Sequence, residues 1–356
     1  MKRNIILSGI LLLSMLSWQC SKQRESVPGN SSLRASLNTN TEKLSQAVNA
    51  IAGSRGYEVL NLNSSLKSES LLDNAIFKDS ITLNAIKGIY EYKPVTFNNW
   101  CFSCLSKLFT KTGDTSILIV KLPSEKIFHP NRFQTVVPAD STLKNNFVIS
   151  ATAYDFYYTM GFLHNYKLTA GLAVNDTSVG NIDIQTDATS PSNFTYASAF
   201  TFPDGYSLKS NVNSGDTASW SFSLSNATET FLKETVNLIK TQGSKFRERE
   251  YILDIGNVEF KKSSVTDSFT VSVGGVLQTK AKIQIIDQAS STGEISIFRN
   301  RDIQITFDDG TTTTISALIG PSIIVLSNLS SSLQDVYFAT NIVNYVAWNI
   351  YNNRIH

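Results

Sequence analysis

Tyr166, Leu168, Ala170, Leu172 and Val174 occupy every second position without a break, and so do Phe194, Tyr196, Ser198, Phe200 and Phe202. Trp220, Phe222 and Leu224 alternate with Ser219, Ser221 and Ser223. A period of two places apolar side chains on one side of an extended strand and small or polar ones on the other. Repeated over many segments, it selects antiparallel strands with one buried and one wet face. The pairs Asn175-Asp176, Asp204-Gly205, Gly274-Gly275 and Asp309-Gly310 fall between such runs. These residue types tolerate the positive backbone angles of tight turns, so each pair reads as a hairpin.

The same pattern begins near residue 81. Ile81–Tyr92, Thr115–Leu122 and Phe147–Tyr158 read as strands. So do Tyr251–Phe260, Val265–Val273, Val276–Ile286, Glu294–Phe298 and Ile303–Phe307. Helical spacing is confined to four places. Leu44, Ala47, Val48 and Ile51 share a face over Thr41–Ala52, and Leu71, Leu72, Ala75 and Ile76 do so over Ser68–Lys78. Asn226 followed by Glu229 resembles a capping box ahead of Phe231, Leu232, Val236 and Ile239. A long C-terminal helix is predicted over Ser332–Asn352. About ten to fourteen strands exceed one small sandwich. The predicted fold is α+β and predominantly antiparallel β: a large curved sheet or partly closed barrel, covered by the N-terminal helices and the long C-terminal helix.

Hydrophobic residues are 42% of the 356, which excludes global disorder. Charged residues are only 17%, with no basic excess to neutralise phosphates, so nucleic acid is not an expected partner. Lys2 and Arg3 precede an apolar run of 14 residues, Ile5–Trp18, and Cys20-Ser21-Lys22 follows. The run is too short to span a bilayer and suits the core of a signal peptide. This arrangement resembles the lipoprotein signals of the Bacteroidota. That resemblance implies removal of residues 1–19, acylation of Cys20, and an outer-membrane anchor in the cell envelope. The chain then divides into a signal peptide (1–19), a flexible tether (20–40) and a single β-rich domain (41–356). With Lys2 and Arg3 removed, 29 basic side chains face 29 acidic ones. A neutral chain gives no long-range steering toward nucleic acid or anionic lipid.

Trp100-Cys101-Phe102-Ser103-Cys104 is the sharpest local motif. It resembles the Trp-Cys-x-x-Cys motif of thioredoxin-like oxidoreductases, in which Cys101 would attack and Cys104 resolve. That chemistry works because a helix N-terminus lowers the first thiol's pKa. The family's fold interleaves helices and strands around the motif, whereas this chain beyond Thr115 is mostly strand. The other readings are a local disulfide staple in an oxidising compartment or a free thiol pair. No second CxxC offers zinc its four ligands, so no metal or cofactor is expected. Histidine is scarce: His129 and His164 read as turn or edge residues, and His356 is terminal. Asp308-Asp309-Gly310 reads as a hairpin turn, since a calcium loop needs more carboxylates at fixed spacing. Tyr154, Phe156, Tyr157, Tyr158, Phe162 and Tyr166 form an aromatic-dense stretch that suits a core or a stacking platform.

Together these residues favour an anchored lipoprotein with a non-enzymatic binding or structural role. A carrier of an apolar ligand in a half-barrel sheet is the second expectation. A thiol-disulfide oxidoreductase using Cys101 and Cys104 is the third.

Overall fold

A computed structural model describes residues 30–61, 80–93, 108–124, 144–159, 163–190, 193–215, 217–240, 247–264, 266–287, 301–334 and 337–352. Its organising feature is a run of consecutive antiparallel strands. In order they are β4 (Leu118–Leu122), β5 (Phe147–Thr159), β6 (Leu163–Val174), β7 (Thr177–Ser190), β8 (Asn193–Thr201), β9 (Ser207–Ser214), β10 (Thr217–Ser225), β11 (Thr230–Lys240), β12 (Arg247–Ile255), β13 (Val258–Ser263), β14 (Phe269–Val273) and β15 (Val276–Leu277). Each pairs with the next in sequence. Beyond β4 the order leaves sequence: β2 (Gly88–Tyr92) pairs parallel with β4, and β3 (Phe109–Gly113) pairs antiparallel with β2. The short β1 (Ile81–Thr82) pairs with β5. Among the described residues the sheet is open, ending at β15 and β3, so the expected partial barrel closure is not found. A separate three-stranded sheet holds β16 (Lys282–Asp287), β17 (Arg301–Thr306) and β18 (Thr312–Thr314).

The hairpin turns follow the sequence chemistry. Asn175 and Asp176 both take positive φ, at 49° and 61°, as do Gly274 and Gly275, at 55° and 80°. Two consecutive left-handed residues make a turn whose twist matches that of the strands it joins.

Register aligns the apolar positions into a row across the sheet. Ala170, Ile182, Phe200, Leu208, Leu224, Leu232, Ile255 and Val258 are successive cross-strand neighbours. All are at most 1% exposed. Truncating a buried Phe such as Phe200 to Ala typically costs about 3–5 kcal/mol, so this row fixes the register more firmly than any single turn.

Six helices complete the described chain: α1 (Asn30–Ala52), α2 (Arg55–Asn61), α3 (Leu83–Ile86), α4 (Ile315–Ile319), α5 (Ser322–Gln334) and α6 (Tyr337–Tyr351). Helix α1 meets β11, β12, β13 and β14, α2 meets β7, and α5 meets β8 and β9. Leu33, Leu37, Leu44, Val48 and Ile51 of α1 are fully buried. The Asn40 amide donates to the Ile255 carbonyl at 2.9 Å and to Asn257 Oδ1 at 2.8 Å. Gly256 makes this possible: its φ is +59°, and a Cβ there would lie 2.5 Å from the Asn40 side chain. At its other end, α1 ties to the small sheet. Arg34 Nη2 donates to Asp309 Oδ2 at 2.9 Å, and its guanidinium carbon lies 4.2 Å from the centre of the Phe307 ring.

Several expectations need correction. Residues 30–40, assigned to the tether, are the opening turns of α1. Leu33 and Leu37 extend the heptad-like stripe of Leu44 and Ile51 toward the N-terminus, and their burial rewards a longer helix. The predicted helix near 226–239 is strand β11. Asn226 Oδ1 accepts from the Thr228 and Glu229 amides, both at 2.9 Å, which closes the β10–β11 hairpin rather than capping a helix. Leu232 and Val236 then fall on the buried face and Ile239 on the exposed one, while Phe231, at the bulge that opens the strand, is buried against Tyr206. Helical spacing there was coincidental, and pairing with β10 and β12 overrides it. The Ile81–Tyr92 strand is interrupted by α3. The Val276–Ile286 strand divides into β15 and β16, which belong to different sheets. The long C-terminal helix begins earlier, at Ser322, and is two helices, α5 and α6. Ser68–Lys78 and Glu294–Phe298 lie outside the described residues.

Candidate functional site

The two faces of the meander offer different chemistry. On the face opposite the buried row, strands with long polar side chains alternate with strands of small ones. Strand β7 presents Asp183, Gln185 and Asp187, β8 presents Ala197 and Ala199, and β9 presents Lys209, Asn211 and Asn213. Next, β10 presents Ser219, Ser221 and Ser223, and β11 presents Lys233, Thr235 and Asn237. Register sets these in straight rows: Asn213, Ser219 and Asn237 in one, Asn211, Ser221 and Thr235 in the next, and Lys209, Ser223 and Lys233 in a third. With strands about 4.8 Å apart, each small-residue strand becomes a trough about 10 Å between its walls.

The trough over β8 contains a hollow of about 180 Å³, lined by Lys167, Thr169, Asp183, Gln185, Lys209 and Asn211 around Ala197 and Ala199. Thr169 Oγ1 donates to Asp183 Oδ1 at 2.7 Å, and Gln185 Nε2 donates to Asp187 Oδ2 at 2.7 Å. Asp155 stands across β5–β6 from Lys167. Lys209 differs: its cross-strand neighbours are Ala199 and Ser223, and it makes no ion pair with a described residue. Farther along this face, Lys261 Nζ lies 2.6 Å from Glu250 Oε1, and Asn237 Nδ2 donates to Glu250 Oε2 at 3.0 Å. The lysine, then the amide, hold the Glu250 carboxyl below its usual pKa. Asp254 faces Glu259 directly across β12–β13, and partial burial, then that like charge, raise its pKa.

The buried face carries a second arrangement. One step along from the apolar row, Ser198, Ser210 and Glu234 are each 3% exposed among apolar neighbours. The Ser198 hydroxyl has no hydrogen-bond partner among the described residues. One step farther, Tyr196, Val212, Trp220, Val236 and Tyr251 are successive cross-strand neighbours, and the three rings are partly buried. Burial, followed by the nearby Glu234 carboxylate, pushes the Tyr251 hydroxyl well above its ordinary pKa.

The residues singled out in sequence distribute unevenly. Cys20, Cys101, Cys104, His129, Phe162 and His356 lie outside the described residues. His164 belongs to β6. Asp309 and Gly310 form the β17–β18 turn, with Gly310 at φ 79°. Thr311 donates to the Asp309 carboxylate through its hydroxyl and its amide, and these bonds, ahead of Arg34, lower the Asp309 pKa. The aromatic stretch divides by parity. Tyr154, Phe156 and Tyr166 are at most 5% exposed and meet edge to face, whereas Tyr157 is 46% exposed on the opposite face. Among the described residues, no group of three or more His, Cys, Asp or Glu side chains is placed to hold a metal ion, and no helix is long and apolar enough to cross a membrane. The corrugated polar face was missed in sequence. Its signal was present in the unbroken serines of β10 and the Ala197/Ala199 pair.

Comparison with family models, with curated proteins and with solved structures finds no match to this chain.

Proposed function

We propose that this chain is a cell-envelope lipoprotein, anchored in the outer membrane through acylated Cys20, with a non-enzymatic binding or structural role exerted by the polar face of its sheet. The observation that carries this reading is the corrugation of that face: rows of amides, hydroxyls and lysines spread over five strands. The test is native mass spectrometry of full-length protein purified from its own host. A mass increment of a diacylated or triacylated cysteine, lost in Cys20→Ala, together with a co-purifying polar ligand, is the expected spectrum. An unmodified Cys20 sinks the anchor, and turnover of an ester, glycoside or peptide abolished by a point mutation sinks the non-enzymatic role.

A second reading, a carrier of an apolar ligand, has its own support in the partly buried Tyr196, Trp220 and Tyr251 rings beside the buried Ser198 hydroxyl. It requires helices lying on a curved sheet face to leave room for a guest. Organic extraction of host-purified protein then yields a stoichiometric lipid, and a lipid-free extract refutes it.

A further inference from the structure

We infer that the trough over β8 binds an acidic saccharide, with Lys209 pairing the ligand's carboxylate and Asn211 and Gln185 meeting its hydroxyls. This assignment rests on the binding role proposed above and names the ligand class for one part of that surface. Three observations carry it. First, the hollow of about 180 Å³ has the volume of roughly six liquid waters, so it accepts one ring-sized unit rather than a protein side. Second, its floor is Ala197 and Ala199 while its walls are amides, a carboxylate and lysines. Directional donors and acceptors around a small floor suit a polyhydroxylated ring, whose hydroxyls need partners of both kinds. Third, Lys209 stands on the ridge between this trough and the serine trough of β10 with small uncharged residues on both sides. Of the other lysines on this face, Lys261 binds Glu250, and Lys167 and Lys233, in no ion pair with a described residue, each stand across from a carboxylate, Asp155 and Asp254. Lys209 has neither an ion pair nor a facing carboxylate, so its charge is the least offset of the four. Asp183 is the carboxylate within the hollow, and it already accepts from Thr169.

Isothermal titration of the full-length protein in detergent with hexagalacturonate, and in parallel with neutral maltohexaose, tests this. Hexagalacturonate binds, maltohexaose binds at least tenfold more weakly, and added NaCl weakens the former because the charges are solvent-exposed. Lys209→Gln weakens hexagalacturonate about tenfold, the worth of one charge-assisted hydrogen bond. Lys261→Gln, on the same face but outside the trough, leaves it unchanged. Both lysines are on the surface, so the variants keep the wild-type melting curve. Equal binding of the two sugars, or a Lys209→Gln variant that binds as wild type, overturns the inference. If hexagalacturonate fails while host-purified protein carries another polar ligand, the saccharide assignment falls and the broader binding role survives. If hexagalacturonate fails and host-purified protein carries no polar ligand, both fall.

Discussion

Gly56 sets two known effects against each other, and the structure decides between them. It lies in the first turn of α2, just after Ser54, whose Oγ accepts from the Tyr57 amide at 3.1 Å. Replacing a helical Gly with Ala gains up to about 1 kcal/mol from reduced chain entropy, and less in the first turn. A Cβ at Gly56, however, would stand 2.4 Å from the Val179 carbonyl oxygen and 2.9 Å from Phe202 Cδ1. The first obstacle is β7 backbone, which no rotamer change can clear. The helix must back away from the sheet, loosening Phe202, which is 1% exposed. Overpacking of this kind costs about 1–3 kcal/mol. The clash wins, and Gly56→Ala is expected to destabilise by about 1–2 kcal/mol, or roughly 2–8 °C in Tm at 2–4 °C per kcal/mol. Gly53→Ala is the matched control: the nearest atoms to its Cβ are 3.7 Å away, so it stays within about 0.5 kcal/mol of wild type. Urea unfolding of the three proteins checks the pair. A Gly56→Ala protein as stable as wild type refutes the close docking of α2 on β7.

Two further expectations concern stability. Tyr154 donates its hydroxyl to Asn344 Oδ1 at 2.9 Å, joining β5 to α6. Tyr154→Phe leaves that buried acceptor unpaired, and thermal unfolding should show a loss of about 1–3 kcal/mol, partly restored by Asn344→Leu in the same chain. Asp254, with its pKa raised by burial and by Glu259, binds a proton more tightly folded than unfolded. Its contribution is therefore fully favourable below the unfolded carboxylate pKa and is lost as pH rises through the folded value. Asp254→Asn should stabilise the protein at pH 7 by a few tenths of a kcal/mol and give no benefit near pH 3. A benefit that grows on acidification contradicts the assigned direction.

Strands β5, β6, β8 and β10 and the turns at Asn175-Asp176, Asp204-Gly205 and Gly274-Gly275 were legible because both signals are local, whereas β7 and β9, whose polar residues outnumber the apolar ones, were not read as strands. Alternation is written in neighbouring residues, and the positive φ of Asn175-Asp176 and Gly274-Gly275 follows from side-chain chemistry at those positions. β11 was illegible for the opposite reason. Its apolar residues satisfy a helical and an extended pattern alike, and Asn226 serves a turn as readily as a helix cap. Only the partners on either side, β10 and β12, select the strand. The break of α1 was misplaced because Leu33 and Leu37 gain nothing from a helix until β11–β14 lie beneath it.

By itself, then, the sequence determined an antiparallel, predominantly β chain, where several of its turns fall, and which side chains share a face in β5, β6, β8 and β10. The tertiary structure alone decided that the sheet is open among the described residues, that β2 lies parallel to β4, and that Lys209 stands between Ala199 and Ser223. Face is a property of one strand, set by the pleat. Neighbourhood is a property of register, and register comes from packing the apolar row as a whole.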